Sequence, residues 1–384
     1  MLAERFHETA SSAAIEHLRW ALTPQVGPVL FGRLIERFGS AQAALGTPAS
    51  RLTEVEGIGQ ATADAIARQR DGADVLAEVE LAARHEVRIL CREDEDYPVL
   101  LRHLPDPPIC LYVCGRLEPE DGVALAVVGA RRCTTYGREQ SRRFGYQLAS
   151  HGLTVVSGLA RGVDAESHKG ALQAGGRTVA VLGNGLSRIY PPEHADLAGR
   201  ICRQGAVVSE LPMTYSPEAK NFLPRNRLIA GLALGVLVIE AARRSGSLTT
   251  ARLASEYDRE VFALPGRVDE QCAQGTNGLI RDQHAKLVTC IEDILSELGQ
   301  VGEALGIPDV DTDGGAEVSS SLPEGLSDQE RAVLEMLGRD ERSIEQIAAG
   351  TGQPAAQVAA ALITLQLRGL ARQLPGNLFV RIGR

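Results

Sequence analysis

Residues 222–240 read FLPRNRLIAGLALGVLVIE, and the pattern of this stretch extends to the chain around it. Its second half, 235–239, is a short apolar run typical of a strand buried on both faces. Its first half places Arg225, Asn226 and Arg227 ahead of an apolar helical segment, and we predict a helix that opens there. The free N–H groups of a helix start and two arginines suit an anion such as phosphate. A surface helix start with solvated arginines is the alternative.

This stretch lies inside a longer region, 123–290, where short apolar runs alternate with helical patterns. Such alternation predicts the α/β class with a parallel sheet, in which ligands bind at the loops that leave the carboxyl ends of the strands. The predicted strands are 123–128, 153–156, 178–182, 206–208, 236–239, 260–263 and, at an edge, 286–288, with 87–91 and 111–115 before them. The helices are predicted to start near Thr135, Asp164, Pro192, Arg225 and Thr249.

Four of the predicted strands are followed by loops that are rich in glycine, arginine and hydroxyl groups. Glycine lets a backbone approach a ligand closely, arginine can bind a phosphate bidentately, and a hydroxyl-rich helix start can hold one too. We therefore interpret the loops as phosphate-binding. The candidate binding residues in them are Gly129, Arg131, Arg132, Ser157, Gly158, Arg161, Lys169, Gly183, Gly185, Ser245 and Gly246.

The same loops lack the motifs of common catalytic and cofactor sites. The Gly183-x-Gly185 pattern has neither the third glycine nor the acidic residue of the dinucleotide fingerprint, so no nicotinamide cofactor is expected. A Walker loop, a nucleophile elbow and a His-Glu-x-x-His motif are absent from the sequence. Asp164 and His168, four residues apart, suggest either acid–base chemistry or support of their loop, and we favour support. No cofactor and no catalytic residue is predicted.

The charge of the chain is distributed unevenly. The formal net charge is −9, yet residues 120–300 carry 21 basic and 19 acidic residues, whereas 1–119 carry 12 and 18. Residues 301–324 carry six acidic residues and no basic one. Because binding depends on where charge lies, the composition neither supports nor excludes a nucleic-acid partner.

Length and cysteine content set further bounds. A chain of 384 residues, 44% hydrophobic, is expected to form two to four domains with sizeable cores. The seven cysteines fit reduced thiols, and Cys110 and Cys114 lack a partner pair at zinc-finger spacing, so no metal is predicted. No apolar run approaches the roughly 18 residues that span a bilayer, and no secretory signal begins the chain. We expect a cytoplasmic protein without a membrane partner.

Two small modules flank the α/β region. Residues 1–75 read as short helices, with Gly57-Ile58-Gly59 resembling the turn of a helix-hairpin-helix module, whose role is either structural or DNA-binding. Residues 76–300 form the core, and 301–325 read as a flexible acidic linker. Residues 326–384 predict three helices and a hairpin, a winged helix that starts with a capping box at Ser327. Its recognition helix, 355–367, is almost entirely apolar or small, which favours a protein-contact or weakly DNA-binding role.

Eight motifs occur together and in order along the region. They are Val128-Gly-Ala-Arg131, Ser157-Gly158-Leu-Ala-x-Gly162-Val-Asp164 with His168, Ala180-Val-Leu-Gly-x-Gly185 with Tyr190-Pro191, Ser209-Glu210, Phe222 with Arg225-Asn226-Arg227-x-Ile229-Ala-Gly231, Glu240-Ala, Ser245-Gly246-Ser-Leu-Thr-Thr-Ala251 and Pro265-Gly266. In this order they resemble the DNA processing protein A (DprA) family of bacterial natural transformation. The resemblance covers 123–290, and the flanking modules fit members with a helical N-terminal domain and a C-terminal winged helix.

The resemblance implies an extended Rossmann-like core that binds single-stranded DNA, forms a homodimer and helps load RecA onto strands covered by single-stranded DNA-binding protein. It places Arg131, Arg225 and Arg227 around the strand and Phe222 where a ring can stack on a base. The resemblance also places Asn226 among the DNA-binding residues, and it allows Lys220 to contact a phosphate. One departure is 281–285, Arg-Asp-Gln-His-Ala, where the family usually has Gly-Ala, and another is the presence of only three lysines.

An enzyme is the alternative, because the core also resembles nucleotide phosphoribohydrolases that bind a nucleoside monophosphate at the same crevice. Those enzymes carry a Pro-Gly-Gly-x-Gly-Thr segment followed by a catalytic glutamate. Here the corresponding loop runs from Arg244 to Arg252, and no glutamate follows until Glu256. Since cleavage of an N-glycosidic bond needs a carboxylate within reach, we expect a binding protein rather than an enzyme.

Overall fold

The computed structural model describes residues 8–304, 327–337, 342–354, 357–358, 361–362, 365, 370–374 and 378–381. These residues fall into two compact units, one up to residue 304 and one from Ser327 onwards. Residues 301–304 continue a helix, so the predicted linker does not begin at 301, and residues 305–325 lie outside the described part.

The first unit begins with a group of helices. Those described are α1 (Ser12–Ala21), α2 (Pro28–Phe38), α3 (Ala41–Leu45), α4 (Ala49–Leu52), α5 (Gln60–Gly72) and α6 (Val75–Arg84). The predicted hairpin lies between α4 and α5, where Gly57 has a φ of 93°, a value that favours glycine. Trp20 and Ile66 of these helices share one hydrophobic core with Ile89 and Tyr112 of the sheet that follows. The division predicted at residue 75 therefore crosses a continuous core, and it stays a prediction.

A sheet of nine strands forms the centre of the first unit, as the α/β pattern predicts. Its strands are β1 (Val87–Leu90), β2 (Leu111–Gly115), β3 (Ala124–Val128), β4 (Thr154–Ser157), β5 (Thr178–Val181), β6 (Ala206–Ser209), β7 (Gly235–Val238), β8 (Glu260–Ala263) and β9 (Lys286–Leu287). Their order is β1-β2-β6-β5-β4-β3-β7-β8-β9. The seven strands from β6 to β9 in this order run parallel, and β2 is antiparallel to both β1 and β6.

Helices cover the two faces of this sheet. They are α7 (Val99–Arg102), α8 (Thr135–Ser150), α9 (Val163–Gln173), α10 (Ala195–Gln204), α11 (Ala219–Gly231), α12 (Gly246–Glu256), α13 (Gln274–Arg281) and α14 (Glu292–Ala304). One large cluster of buried apolar side chains includes Val128, Leu228 and Val236, and a second includes Leu125, Phe144 and Leu237. Because β3 and β7 have neighbours on both sides and helices above and below, their side chains are completely apolar.

The predicted helix start at Arg225 is wrong. Helix α11 begins six residues earlier, at Ala219, and Pro224 lies within it. A proline inside a helix forfeits the bond to the carbonyl four residues before it, here that of Lys220. Lys220 is exposed in the first turn, so water can satisfy that carbonyl and the helix tolerates the proline. The backbone N–H groups of Arg225 to Arg227 are consequently not those of a free helix start.

The second unit is a small domain with its own core. Helices α15 (Asp328–Met336) and α16 (Ile344–Thr351) pack with strands β10 (Arg342–Ser343), β11 (Ala371–Leu374) and β12 (Leu378–Arg381), which pair antiparallel in the order β10-β12-β11. The capping box at Ser327 is confirmed. Of the predicted recognition helix, residues 357–358, 361–362 and 365 are helical and the others lie outside the described part, as does the predicted 375–377 turn.

None of the helices in the described part of the chain combines the length and the apolar character that crossing a bilayer requires.

Candidate functional site

A crevice lies where the order of the strands reverses, on either side of β3. The chain runs from β3 outwards through β4, β5 and β6, and then returns to the other side of β3 with β7. Loops that leave the carboxyl ends of β3 and β7 therefore diverge, and this is where α/β folds bind ligands. Glu240, just after β7, holds the two loops in place: its carboxylate accepts hydrogen bonds from Thr134 N (2.9 Å) and Thr134 Oγ1 (2.5 Å).

A cavity of about 580 Å³ occupies this crevice. Its walls come from four strand-end loops and from α11, elements that lie far apart in the sequence. The residues that line it are Val128, Gly129, Arg131, Ala160, Asp164, Tyr190, Pro217, Ala219, Phe222, Leu223, Arg225, Asn226, Ile229, Ser245, Gly246, Ser247 and Thr250. Seven of the predicted binding residues are among them: Gly129, Arg131, Phe222, Arg225, Asn226, Ser245 and Gly246.

Arg225 forms part of the floor of the cavity. Only 5% of the residue is exposed, and its guanidinium donates hydrogen bonds to the carbonyl oxygens of Gly158 (2.9 Å) and Val181. A Cβ at position 158 would lie 2.7 Å from that guanidinium, so any side chain there would push Arg225 out of these hydrogen bonds. Arg225 thus braces the ends of β4 and β5, and its side chain is not free in the way that the sequence suggested.

Asp164 lies in the same floor. Its Oδ2 accepts hydrogen bonds from Gly158 N (3.2 Å) and Ala160 N (3.4 Å). Burial raises the pKa of this carboxyl, and the nearby Arg225 guanidinium opposes that rise. Burial also lowers the pKa of Arg225 to about 10, while Asp164 opposes that fall. Arg225 therefore keeps its positive charge at neutral pH.

Phe222 provides an aromatic wall. Its ring centroid lies 5.8 Å from that of Tyr190, the two rings tilted by 38°, and 5.0 Å from Cζ of Arg131. A Cβ at Gly183 would lie 3.0 Å from the Phe222 ring, which shows how closely the ring approaches that loop. Arg131 is exposed and has no acidic partner among the described residues, so its charge is available to a ligand.

The start of helix α12 also lines the cavity. Ser245 is the N-cap residue, and its hydroxyl accepts a hydrogen bond from Ser247 N (3.3 Å). Asn226 of α11 donates to Gly246 O (3.3 Å) and links the two helices at this point. The N–H groups of a helix start, here with two serine hydroxyls beside them, make a position that suits an anion.

Arg227 does not line the cavity, although the resemblance grouped it with Arg225. Its guanidinium forms ion pairs with Asp106 (3.2 Å) and Glu210, and only 8% of the residue is exposed. Two residues apart on a helix, side chains point about 200° from each other. Arg225 and Arg227 therefore project towards different sides of α11, and we assign Arg227 to a buried ion-pair network.

The other predicted residues also lie outside the cavity lining. Ser157 is buried and donates to Val127 O (2.6 Å), and Gly185 packs against the backbone of Met213. The remaining basic groups are on the surface, each but Arg132 with an acidic partner: Arg161 with Glu193, Lys169 with Glu166 and Lys220 with Glu218. Gly158 and Gly183 act by admitting Arg225 and Phe222, as described above.

Several cavity residues were missed at the sequence level. Tyr190 and Leu223 stand beside Phe222, and Thr250 lies on the first turns of α12. Exposed arginines without an acidic partner among the described residues also follow two strands at this edge, Arg188 after β5 and Arg243 and Arg244 after β7. Their position just after a predicted strand was the signal that could have identified them.

Asp164 and His168 do not form an acid–base pair. Nδ1 of His168 lies 2.7 Å from Thr178 Oγ1, and burial lowers the pKa of His168 to about 3, so its ring is neutral at physiological pH. Asp164 is held by backbone N–H groups instead. These contacts agree with the interpretation that both residues support the loop.

Comparison with known proteins now places the chain in a family. A family model described as DNA recombination-mediator protein A (DprA) matches residues 88–299, more than half of the chain. The chain belongs to the DprA family. Two further models match its flanks, a DprA-like N-terminal HHH domain at 11–83 and a DprA winged helix domain at 317–377. They confirm the helical N-terminal module and the winged helix predicted from the sequence.

Individual relatives extend the match over nearly the whole chain. Protein Smf of Synechocystis sp. is 34% identical over 397 residues, which cover 97% of this chain and 100% of the relative. Protein Smf of Escherichia coli is 43% identical over 298 residues, 76% of each chain. The X-ray structure of DprA from Streptococcus pneumoniae is 31% identical and covers 74% of this chain and 97% of its own, with a TM-score of 0.65.

A second solved structure is DprA from Helicobacter pylori, which is described with a unique single-stranded DNA binding mode. It is 31% identical, covers 56% of this chain and 95% of its own, and has a TM-score of 0.50.

Proposed function

We propose that this DprA-family protein binds single-stranded DNA in the crevice at the strand ends. The observation that carries the proposal is that one cavity is lined both by the aromatic ring of Phe222 and by the helix start at Ser245. A base offers a flat face to the ring, and the phosphate next to it offers negative charge to the helix start. The Helicobacter pylori relative, described with single-stranded DNA, supports the proposal.

The geometry favours a single strand over a duplex. Stacking on Phe222 requires a base whose face is open, and in a duplex the faces of the bases are covered by their neighbours. Arg131 lies against the same ring, so it can stack on a base or bind the phosphate beside it. The cavity therefore suits one or a few unpaired nucleotides.

Phosphate binding need not conflict with the net charge of −9. Arg131, Arg132, Arg188, Arg243 and Arg244 all follow strands at this one edge of the sheet, and none has an acidic partner among the described residues. Acidic residues are in excess in 1–119 and 301–324 instead. We propose that these arginines guide the backbone of the strand across the crevice.

We further propose the family's role in transformation: the protein protects incoming single strands in the cytoplasm and helps load RecA onto them. In that role it acts on strands covered by single-stranded DNA-binding protein and works as a homodimer, the commonest closed assembly. The support for this part is the membership of the DprA family and the likeness to DprA of Streptococcus pneumoniae.

We propose that the crevice binds its ligand without cleaving it. Asp164 is the one carboxylate in the cavity lining described here, and its Oδ2 is engaged by two backbone N–H groups. Glu256, the first glutamate after the loop that follows β7, pairs with Arg252 on the exposed side of α12. A phosphoribohydrolase would need a free carboxylate at the sugar, and neither group supplies one.

Fluorescence anisotropy with labelled single- and double-stranded oligonucleotides across a salt series tests the binding. We expect a preference for single strands, with log K falling by about 0.7 per neutralised phosphate for each unit of log salt. Arg131→Gln should weaken binding and reduce that slope by about 0.7. Phe222→Ala should weaken binding roughly 5- to 150-fold, the loss of one stacked base, with the slope unchanged.

The matched control is Arg84→Gln, which removes the same charge from α6, beside the edge strand β1. It should bind like the wild type. Equal affinity for single strands and duplexes, or equal losses in Arg84→Gln and Arg131→Gln, would show that the crevice is not the binding site.

The RecA-loading role is tested separately, by the rate at which RecA hydrolyses ATP on oligonucleotides covered by single-stranded DNA-binding protein. Wild-type protein should shorten the lag before hydrolysis, and Phe222→Ala should restore it. A lag that the wild type leaves unchanged would remove the loading role but not the strand binding.

A further inference from the structure

A second polar cluster lies outside the crevice, near the place where Ala10 bridges Ile89 of β1. It consists of His17 on α1, Cys91 just after β1 and Glu93 two residues later. One imidazole nitrogen, the sulfur and one carboxylate oxygen all lie within 4.8 Å of one another. His17 and Cys91 are buried, whereas the Glu93 side chain is 49% exposed. The proposed strand binding uses none of these residues.

The hydrogen bonds of His17 leave one ring nitrogen directed at the cluster. Its Nδ1 lies 2.9 Å from Ala13 O, and a carbonyl oxygen can only accept, so Nδ1 carries the proton. Nε2 lies 3.0 Å from Glu93 Oε2 without the geometry of a hydrogen bond, and it has no other partner in the part of the chain that the structure describes. A histidine that donates Nδ1–H to a backbone carbonyl while Nε2 is free is oriented as metal-ligating histidines are.

A tight turn fixes the other two groups. Asp94 Oδ2 accepts a hydrogen bond from Cys91 N (2.7 Å), and Asp94 N donates to Cys91 O (3.0 Å). Cys91 and Glu93 therefore come from one turn whose backbone is held by Asp94, and they face a ring that is held by Ala13. The imidazole ring and the backbone that carries Cys91 and Glu93 are therefore held in place by hydrogen bonds of their own.

Chemistry and charge favour zinc as the ion. Zn²⁺ binds nitrogen, sulfur and carboxylate oxygen at about 2.0–2.3 Å in tetrahedral geometry, which places its ligand atoms roughly 3.5 Å apart. Here His17 Nε2 and Glu93 Oε2 are 3.0 Å apart, and all three donor atoms lie within 4.8 Å of one another. A thiolate, a carboxylate and a neutral imidazole add two negative charges, which Zn²⁺ cancels, so the occupied site carries no net charge into the protein.

We propose that His17, Cys91 and Glu93 bind one Zn²⁺ ion, with water at the fourth position beside the exposed edge of Glu93. On binding, the thiol of Cys91 loses its proton to solvent, and sulfur, nitrogen and oxygen each form one bond to the metal. The ion joins α1 to the end of β1, so it stabilises the contact between the N-terminal helices and the sheet.

Cobalt substitution in the full-length protein tests this site. Protein stripped with a chelator is titrated with Co²⁺, which gives tetrahedral d–d bands and a sulfur-to-cobalt charge-transfer band when a thiolate binds it. We expect one equivalent bound and complete displacement by Zn²⁺. Cys91→Ser should abolish the charge-transfer band, and His17→Gln should weaken binding at least about a hundredfold, since even outer-shell groups contribute 10- to 100-fold.

Cys290→Ser is the control, because it removes a thiol just ahead of α14 and should leave the spectrum unchanged. Thermal unfolding supplies a second readout: Zn²⁺ should raise the Tm of the wild type and of Cys290→Ser but not of Glu93→Gln. Glu93 is half exposed, so this variant keeps the fold even if His17→Gln does not.

The proposal is overturned if wild-type protein shows no charge-transfer band, or if Cys91→Ser keeps it. It is also overturned if Zn²⁺ leaves the Tm of the wild type unchanged. Each of these results would show that the three side chains do not form a metal site.

Discussion

Two opposite charges, Arg225 and Asp164, lie under the crevice and interact there without solvent to screen them. Each depends on the other and on backbone groups: Arg225 donates to two carbonyls, and Asp164 accepts from two N–H groups. Removing one partner of such a pair leaves the other charge buried and uncompensated, which costs far more than the net stabilisation by the pair itself.

We predict that Arg225→Leu lowers the free energy of unfolding by about 3–5 kcal/mol at neutral pH, because Asp164 loses its counter-charge and two carbonyls lose their donor. Urea unfolding of the wild type and the variant measures this difference. Asp164→Asn in the Arg225→Leu background should recover part of the loss. A double variant as unstable as the sum of the two single variants would contradict the coupling.

The same pair predicts a pH dependence. Burial raises the pKa of Asp164 above its ordinary value of 3.8 in the folded state, so the ionised carboxyl is less stable folded than unfolded. Stability from this group is therefore present at low pH and is lost as the pH rises through the raised pKa. Without Arg225 the rise is larger. The deficit of Arg225→Leu should shrink as the pH is lowered from neutrality and Asp164 becomes protonated, and a deficit independent of pH would exclude Asp164 as its cause.

The location of the crevice could be predicted from the sequence, but the directions of the side chains around it could not. Gly129, Arg131 and Ser245 lie in loops that follow predicted strands, the family resemblance supplied Phe222, and all four line the cavity. Whether Arg225 or Arg227 faces the cavity depends on where α11 begins, and local propensity placed that start after Pro224 rather than at Ala219. The acidic partners of Arg227 come from distant segments, which no local pattern reveals.

At the level of elements, α8 and α9 approach each other unusually closely. A Cβ at Gly145 of α8 would collide with the carbonyl oxygen of Ser167, and one at Gly170 of α9 with the carbonyl oxygen of Arg142. These glycines let two helix backbones touch, and this packing positions the loops that lead from β3 and β4 into the two helices. The sequence shows the glycines, but their purpose depends on the tertiary contact.

We predict that Gly145→Ala destabilises the protein by about 1–3 kcal/mol, although alanine is the better helix former by about 1 kcal/mol, because the clash is with backbone that cannot move aside. Gly199→Ala on α10 is the control. Its added methyl would meet only the end of the Arg203 side chain at 3.9 Å, so it should be neutral or stabilise by up to about 1 kcal/mol. Thermal or urea unfolding compares the two, and opposite signs are expected.

The whole molecule consists of two units, each with its own core. The cavity is lined by residues between Val128 and Thr250, all in the first unit. If the crevice is the site of strand binding, a chain that ends at Ala304 should bind single-stranded DNA within about twofold of the full-length affinity at matched salt. Anisotropy measures both. A large loss on truncation would mean that the winged helix contributes to the affinity.

The family architecture could be predicted from sequence, since each module carries its own local signature, and the family models confirm three of them. The proposed zinc site could not be predicted in this way. His17 lies on α1 and Cys91 follows β1, with 73 residues between them, so no spacing rule for metal ligands applies. Only the packing of the first helix against the edge of the sheet brings them together.

That packing also makes the N-terminal helices part of the core of the sheet. The N-terminal helices match a family model of their own. Trp20 and Ile66 of these helices nevertheless share one apolar interior with Tyr112 of β2. A chain that lacked these helices would expose the apolar side chains of the sheet that they cover. A change of side-chain volume on one side of this interior is therefore felt on the other side, because the two sides pack against each other.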